Sequence, residues 1–341
     1  MLREYLKLSR LFNMGLTGVA PVLGALSMWN IGETSIPMLF ILFIIGCLSH
    51  IYGFVLNDVI DIKVDKLSKE LTARPLVSGT ITRKKAAYFA VSCMILSWIL
   101  AIFFYFYRDL NLLGFLIILS ILIFADILST VYNFVSKKYP CMDIFVTSAI
   151  FFLIIFGAAT VSHEQLLSTP LIWIVAFIGS IQVLFMNMIN GAIKDIDHDA
   201  EGLAKTLAIR LGAGVKKGIV TLPYSFKTIG YLIEISRSFL VFSPFIFLSN
   251  QFPFKIWQIT LLIVLTTLTF FSIYKIFSIK KFERNKVRKH IGIIVIFMYA
   301  TTPVMLYSLN PYIILVALVP PLWFIFSNIL LHKTVLAPKT M

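Results

Sequence analysis

Apolar runs, each about the length of a bilayer crossing, alternate with short polar connections along the whole chain. A crossing helix needs about 20 mostly apolar residues. Ten stretches meet that need, near 11–30, 36–58, 84–107, 111–135, 141–161, 170–194, 228–249, 256–279, 291–309 and 311–331. Lipid offers no partner to backbone N–H and C=O groups, so such stretches fold as helices. The pattern predicts an all-α, polytopic transmembrane bundle of nine or ten spans. It reads as a single integral-membrane domain over 1–341, with 311–331 set apart as an additional C-terminal helix. The seventh stretch is the least apolar because it carries Glu234 and Arg237, one turn apart and able to pair. The first stretch has the basic head and apolar middle of a leader peptide, but the spans that follow favour a retained helix.

Charge changes the picture by its placement. The chain is 59% hydrophobic and only 13% charged, yet its net charge is +14. The basic residues fall in alternate connections: Arg3, Lys7 and Arg10, the 59–83 loop, Lys137-Lys138, the 194–227 loop, the run KKFERNKVRKH and the C-terminal tail. The intervening connections hold Arg108 and Lys255. Under the positive-inside rule the N-terminus and the Asp-rich loops are therefore cytoplasmic. The excess charge reads as a topology signal and, in KKFERNKVRKH, as a face for anionic lipid; no nucleic-acid partner is implied. The three cysteines follow no metal or disulfide spacing.

Two polar clusters stand out against this background. NDVIDIKVDKLSKELTARPLVSG, residues 57–79, ends the second span. If the helix continues, Asp58, Asp61 and Asp65 share one face, and His50 and Asn57 lie on nearly the same stripe. NGAIKDIDHDAEGLAKT ends the sixth span, with Asp195 and Asp199 one turn apart, Lys194 adjacent and Lys205 in the following loop. Stacked carboxylates at a helix C-terminal end are unfavourable unless a cation neutralises them. Hard oxygen ligands suit Mg²⁺, and Mn²⁺ as well, and Mg²⁺ commonly binds one or two carboxylates plus substrate phosphate oxygens. Nearby Lys and Arg would clamp the same oxygens. A solvated helix end explains one such cluster by itself; two on one side of the membrane, each followed by a base, point to a diphosphate held between acidic helix ends.

The fourth span adds Asp126, Ser129, Asn133 and Lys137 at helical spacing, with Tyr132 beside them. A carboxylate at depth costs roughly 2.5–3.5 kcal/mol, so Asp126 should face the bundle interior. It either lines a cavity or makes a packing hydrogen bond, and the same two readings hold for His50. An apolar bundle above a diphosphate site suits a substrate with a charged head and an oily tail. Ionising its allylic C–O bond needs stabilisation of the leaving diphosphate and exclusion of water. Phe54, Tyr132 and Phe185 could steady the resulting cation.

NDVIDIKVD followed by K-x₄-RP-x₂-SG resembles the first signature of the UbiA superfamily of intramembrane prenyltransferases. KDIDHDAEGLAKT resembles the second signature, and YNFVSKKYPCMD the Tyr…Lys segment after the fourth family helix. The resemblance covers roughly residues 8 to 250. It implies a Mg²⁺-dependent enzyme moving a prenyl group from a prenyl diphosphate to a hydrophobic acceptor, with Asp-rich loops capping a central cavity. By that resemblance Asp58, Asp61, Asp65, Asp195 and Asp199 hold the metal–diphosphate complex. Asn57, Lys69, Arg74, Lys137, Lys194 and Lys205 line the phosphate pocket. Asp65 or Asp199 would take a proton from an alcohol acceptor, and His50, Asp126, Tyr132, Asn133 and Asn190 are cavity candidates. Several lipid-forming members have Arg-Glu where this chain has Asn190-Gly191. The KDIxxD core leans towards archaeal-type members that extend a geranylgeranylglyceryl phosphate, with quinone-precursor prenyltransferases as the alternative. From other classes, a transporter using Asp126, His50 and Glu234, or a lipid phosphotransferase, also fits acids in a polytopic chain.

Overall fold

The computed structural model describes residues 1–66, 72, 74–108, 110–201, 205–250 and 252–335, without the side chains of 64, 105 and 198–201. The chain forms two compact units of non-consecutive stretches. One comprises Met1–Phe134, Ser148–Ala176 and the chain from Leu318 onward; the other comprises Val135–Thr147 and Phe177–Ala317.

The first unit carries α1 (Leu2–Leu8), α2 (Leu11–Ser27), α3 (Ile36–Asp65), α4 (Arg83–Tyr107) and most of α5 (Leu112–Val135) and α6 (Asp143–Ala159). It also holds the start of α7 (Pro170–Leu184) and the last helix, α13 (Val319–His332). Its helices approach closely where side chains are missing. A Cβ on Gly46 of α3 would sit 2.8 Å from the carbonyl oxygens of Thr17 and Gly18 on α2. A Cβ on Gly24 would collide with the Ile154 carbonyl, and one on Gly157 with the Pro21 carbonyl, so α2 and α6 cross backbone to backbone. Small residues at crossings are how membrane helices gain packing contacts that lipid cannot replace. Outward-facing Leu112, Leu116, Ile127, Ile95 and Ile99 remain exposed, as lipid-facing side chains should.

The second unit carries the end of α7, a π-helical segment Phe185–Gly191, α8 (Ala192–Glu201), α9 (Leu207–Arg210), α10 (Tyr224–Phe247), α11 (Ile256–Phe277) and α12 (Arg284–Leu306). Between α9 and α10, strands β1 (Gly214–Lys216) and β2 (Ile219–Thr221) pair antiparallel, with Val215 opposite Val220. The two-residue turn is Lys217-Gly218 with φ of 50° and 78°, the left-handed pair that such hairpins require. The hairpin edge bonds to the α11–α12 connection, Val220 N–H donating to the Lys280 carbonyl at 2.9 Å. Segment VKKGIVTLPYSFK, too polar to cross lipid, is thus the hairpin followed by the first turn of α10.

Eight helices among the described residues are long and apolar enough to cross a membrane, and α2 and α6 are apolar helices of 17 residues. All ten predicted stretches are helical, in their predicted places. The seventh is α10, whose charges are reconciled internally. Arg237 Nε donates to Glu234 Oε2 at 2.9 Å and Nη1 to Thr301 Oγ1 at 2.8 Å, with both charged residues wholly buried. The tenth departs from a plain helix: Pro311–Leu318 is 3₁₀, and α13 starts afresh at Val319 with Pro320 and Pro321 in its first turn. Proline lacks the N–H that would continue the earlier ladder, so it suits a new start.

Candidate functional site

In the first unit α3 does continue to Asp65, and Asp58, Asp61 and Asp65 are all buried, between 4% and 8% exposed. Two guanidiniums meet them. Arg10 Nη2 lies 2.5 Å from Asp58 Oδ1, and Arg74 Nη1 lies 2.6 Å from Asp65 Oδ2 and 3.5 Å from Asp58 Oδ1. Arg74 reaches back because RPLVSG folds on itself. The Pro75 carbonyl accepts from Ile81 N–H and from the Ser78 and Thr80 hydroxyls, and Gly79 turns the chain at φ 77°. Leu76 drops into the core beside Tyr52, Val55, Val59 and Ile81, which fixes the turn on the helix. Asn57 is half-buried at the same helix end. Lys69 lies outside the described residues.

Arg10 is a partner that sequence reasoning counted only as a topology charge. It occupies the break between α1 and α2 in a left-handed conformation, φ 48°, and stacks over Phe54 at 5.0 Å. Phe54 is also 4.2 Å from the His50 ring, so its faces are engaged by neighbouring groups. His50 Nδ1 bonds to the Thr17 hydroxyl at 3.0 Å. A partner 48 residues away leaves no local sequence signal.

The polar stripe of α5 is largely spent on helix-to-helix ties. Trp98 Nε1 donates to Asp126 Oδ2 at 2.8 Å, and Asn133 Nδ2 donates to the Gly53 carbonyl at 3.0 Å. Asp126 is buried and makes a packing hydrogen bond, with Trp98 as its donor. Tyr132 is half-buried.

In the second unit the acidic motif lies on α8. Asp195 is about one-third exposed, with Lys194 Nζ 3.4 Å from its Oδ2. The Lys205 N–H donates to the Lys137 carbonyl at 3.2 Å, so the two loop lysines expected at the phosphate pocket come from adjoining backbone. The side chain of Asp199 lies outside the described residues. Asp197, between the two motif acids, takes Arg284 Nη2 on both oxygens at 2.5 and 2.6 Å. Arg284 belongs to KKFERNKVRKH, so that basic run starts on the same face as the second motif. Within this unit Lys255, beside Tyr307 at 5.5 Å, marks the other end. In the first unit Arg108 likewise caps the end away from the aspartates, donating to the Glu33 and Val161 carbonyls.

The donor set suits Mg²⁺. The three buried α3 carboxylates offer only oxygen, the hard donor that Mg²⁺ takes. Among the described residues no three Asp, Glu, His or Cys side chains converge into a complete metal cage. Mg²⁺ does not call for one, since phosphate and water oxygens usually complete its octahedron.

The family model of the UbiA prenyltransferase family matches residues 18–289. Among curated proteins, digeranylgeranylglyceryl phosphate synthase of Pyrococcus horikoshii is 28% identical over 228 residues, 67% of this chain and 75% of the relative. The synthase of the same name from Thermococcus kodakarensis is 27% identical over 269 residues, 73% of this chain and 88% of the relative. Among solved structures, a UbiA homolog from Archaeoglobus fulgidus bound to GPP and Mg²⁺ superposes with a TM-score of 0.60 at 19% identity. That match covers 89% of this chain and 99% of the homolog.

Proposed function

The chain belongs to the UbiA prenyltransferase family, and from that premise we propose that it transfers an allylic prenyl group from a prenyl diphosphate to a lipid-like alcohol, geranylgeranylglyceryl phosphate. The observation that carries this reading is the buried group of Asp58, Asp61 and Asp65 with Arg10 and Arg74, at one end of a membrane-spanning helix. Such a place accepts a charged head while its apolar neighbours accept a long tail. The donor and metal are supported by the homolog bound to GPP and Mg²⁺, the acceptor by the relatives' name.

Asp58, Asp61 and Asp65, with Asp195 and Asp199, are the proposed metal and diphosphate ligands. Asn57, Lys69, Arg74, Lys137, Lys194 and Lys205 are the proposed phosphate contacts, and the structure adds Arg10 to them. Bound Mg²⁺ would supply positive charge to the diphosphate oxygens. Cleavage of the prenyl C–O bond leaves its electron pair on diphosphate, where arginine and lysine donors stabilise it. The acceptor oxygen forms the new C–O bond and its proton passes to a carboxylate. Asp65 is already engaged by Arg74, so Asp199 is the first choice for that base. We assign the motif-bearing loops to the cytoplasmic face, a reading supported by the basic connections.

Transport loses support, because Asp126 is tied to Trp98 and Glu234 to Arg237. The test is the mass of the product made from geranylgeranyl diphosphate by purified protein and Mg²⁺ over a panel of glyceryl-phosphate and phenolic acceptors. A product one prenyl group heavier than the glyceryl acceptor supports the proposal. A prenylated phenol alone moves the chain to the quinone-precursor class, and a phosphorylated acceptor overturns prenyl transfer.

A further inference from the structure

Asn190 stands apart from every other candidate in the second unit. It is 1% exposed, and neither its amide nitrogen nor its amide oxygen has a hydrogen-bond partner among the described residues. A buried amide left without both partners is costly. Local sequence does not require the amide: its neighbours Phe185 and Ile189 are wholly buried apolar side chains, and leucine would suit such surroundings. The residue also sits in irregular backbone, the π-helical segment Phe185–Gly191, where the chain leaves the regular ladder just before the second aspartate motif. Such π-turns recur at functional sites. Next to it Gly191 leaves room, since a Cβ there would meet only the Met186 carbonyl, at 3.4 Å.

Resting on the prenyl-transfer reading, we propose that Asn190 binds the acceptor's hydroxyl group and thereby selects an alcohol over an aromatic ring as the nucleophile. A hydroxyl is at once donor and acceptor, and a neutral amide is its complement. The amide oxygen accepts from the hydroxyl, and the amide nitrogen donates to that oxygen or to a neighbouring ether or phosphoryl oxygen. The placement suits the task. Asn190 precedes Asp195 by five residues, about 7.5 Å along the axis, so it lies further into the span than the motif acid. A reacting oxygen held there would sit deeper along the span than a diphosphate bound at Asp195. A phenol held by its hydroxyl would present oxygen, and not its ring carbon, to the prenyl carbon, and a site with unpaired buried polar groups disfavours an acceptor that leaves them unpaired. Asn190 cannot take the proton; it holds the oxygen from which the proton leaves.

The experiment compares wild type with Asn190→Leu, which keeps the branched shape and heavy-atom count of the side chain and removes both polar atoms. Three quantities are read: melting temperature, KM for geranylgeranylglyceryl phosphate and KM for geranylgeranyl diphosphate. The expected result is an unchanged or higher melting temperature, a KM for the glyceryl acceptor raised at least tenfold, and little change for the diphosphate. Asn190→Gln or Asn190→Ser should recover part of the acceptor affinity. Thermal stabilisation by geranylgeranylglyceryl phosphate without the diphosphate should be present in wild type and lost in Asn190→Leu. A lower melting temperature with both KM values worsened together makes the amide structural and overturns the inference. An unchanged acceptor KM overturns it while leaving prenyl transfer intact. Absence of transfer by wild type to any acceptor brings down the prenyl-transfer reading itself, and this inference with it.

Discussion

Asp58 and Asp65 owe their burial to two arginines, and the arginines differ in how they are held. Arg74 is fixed by its turn, and its guanidinium is shared between two carboxylates. Removing one partner of a buried ion pair costs about 3–5 kcal/mol, so Arg74→Leu should lower the melting temperature in detergent and abolish diphosphate binding. Arg74→Lys keeps the charge and loses the planar fork; it should retain the fold and weaken diphosphate affinity, as a titration with geranylgeranyl thiodiphosphate would show. Arg74 was legible in the sequence because RPxxSG follows the acids at a recognisable distance. Arg10 was not, since the α1–α2 break brings it to Asp58 from 48 residues away. Asp197 was passed over for a related reason: its partner, Arg284, lies 87 residues downstream. Sequence spacing finds acids that share a helix and misses the bases that reach them through space.

The elements show where local chemistry decides geometry. Gly79 is left-handed at φ 77° with open space around it, so a valine there strains the backbone without any clash. Gly79→Val should displace the RPLVSG turn and reduce diphosphate affinity, while circular dichroism of the helices stays the same. Gly157 is the opposite case, limited by space: a side chain would drive α6 off α2. Gly157→Leu should lower the melting temperature sharply or prevent folding, and compact Gly157→Ala should already destabilise. In α10 the wholly buried Glu234–Arg237 pair makes a third prediction. Glu234→Leu alone leaves a buried guanidinium and should cost about 3–5 kcal/mol, whereas Glu234→Leu with Arg237→Met should recover most of it, read by reversible unfolding in mixed micelles. The apolar pattern foretold all ten helices, because span length is a composition signal. It could not foretell the π-segment before Ala192 or the 3₁₀ turn after Asn310, which depend on tertiary contacts and on where prolines stop a hydrogen-bond ladder.

At the scale of the molecule, both units obey the alternation of basic and neutral connections. The first keeps Arg10 and Arg74 with its aspartates and Arg108 at the far end; the second keeps Arg284 with α8 and Lys255 at the far end. The α11–α12 connection also bonds to the hairpin after α9, so the connections before α10 and after α11 lie at one end of these two helices. The central claim is that the acids of both motifs serve one reaction, prenyl transfer dependent on Mg²⁺. Its most direct test is transfer from geranylgeranyl diphosphate to geranylgeranylglyceryl phosphate by wild type, Asp61→Asn and Asp195→Asn, each with Mg²⁺ and with EDTA. The account predicts product from wild type with Mg²⁺, none with EDTA, and loss of product in either variant at an unchanged melting temperature. Product from wild type in EDTA, or wild-type rates in both variants, would contradict it.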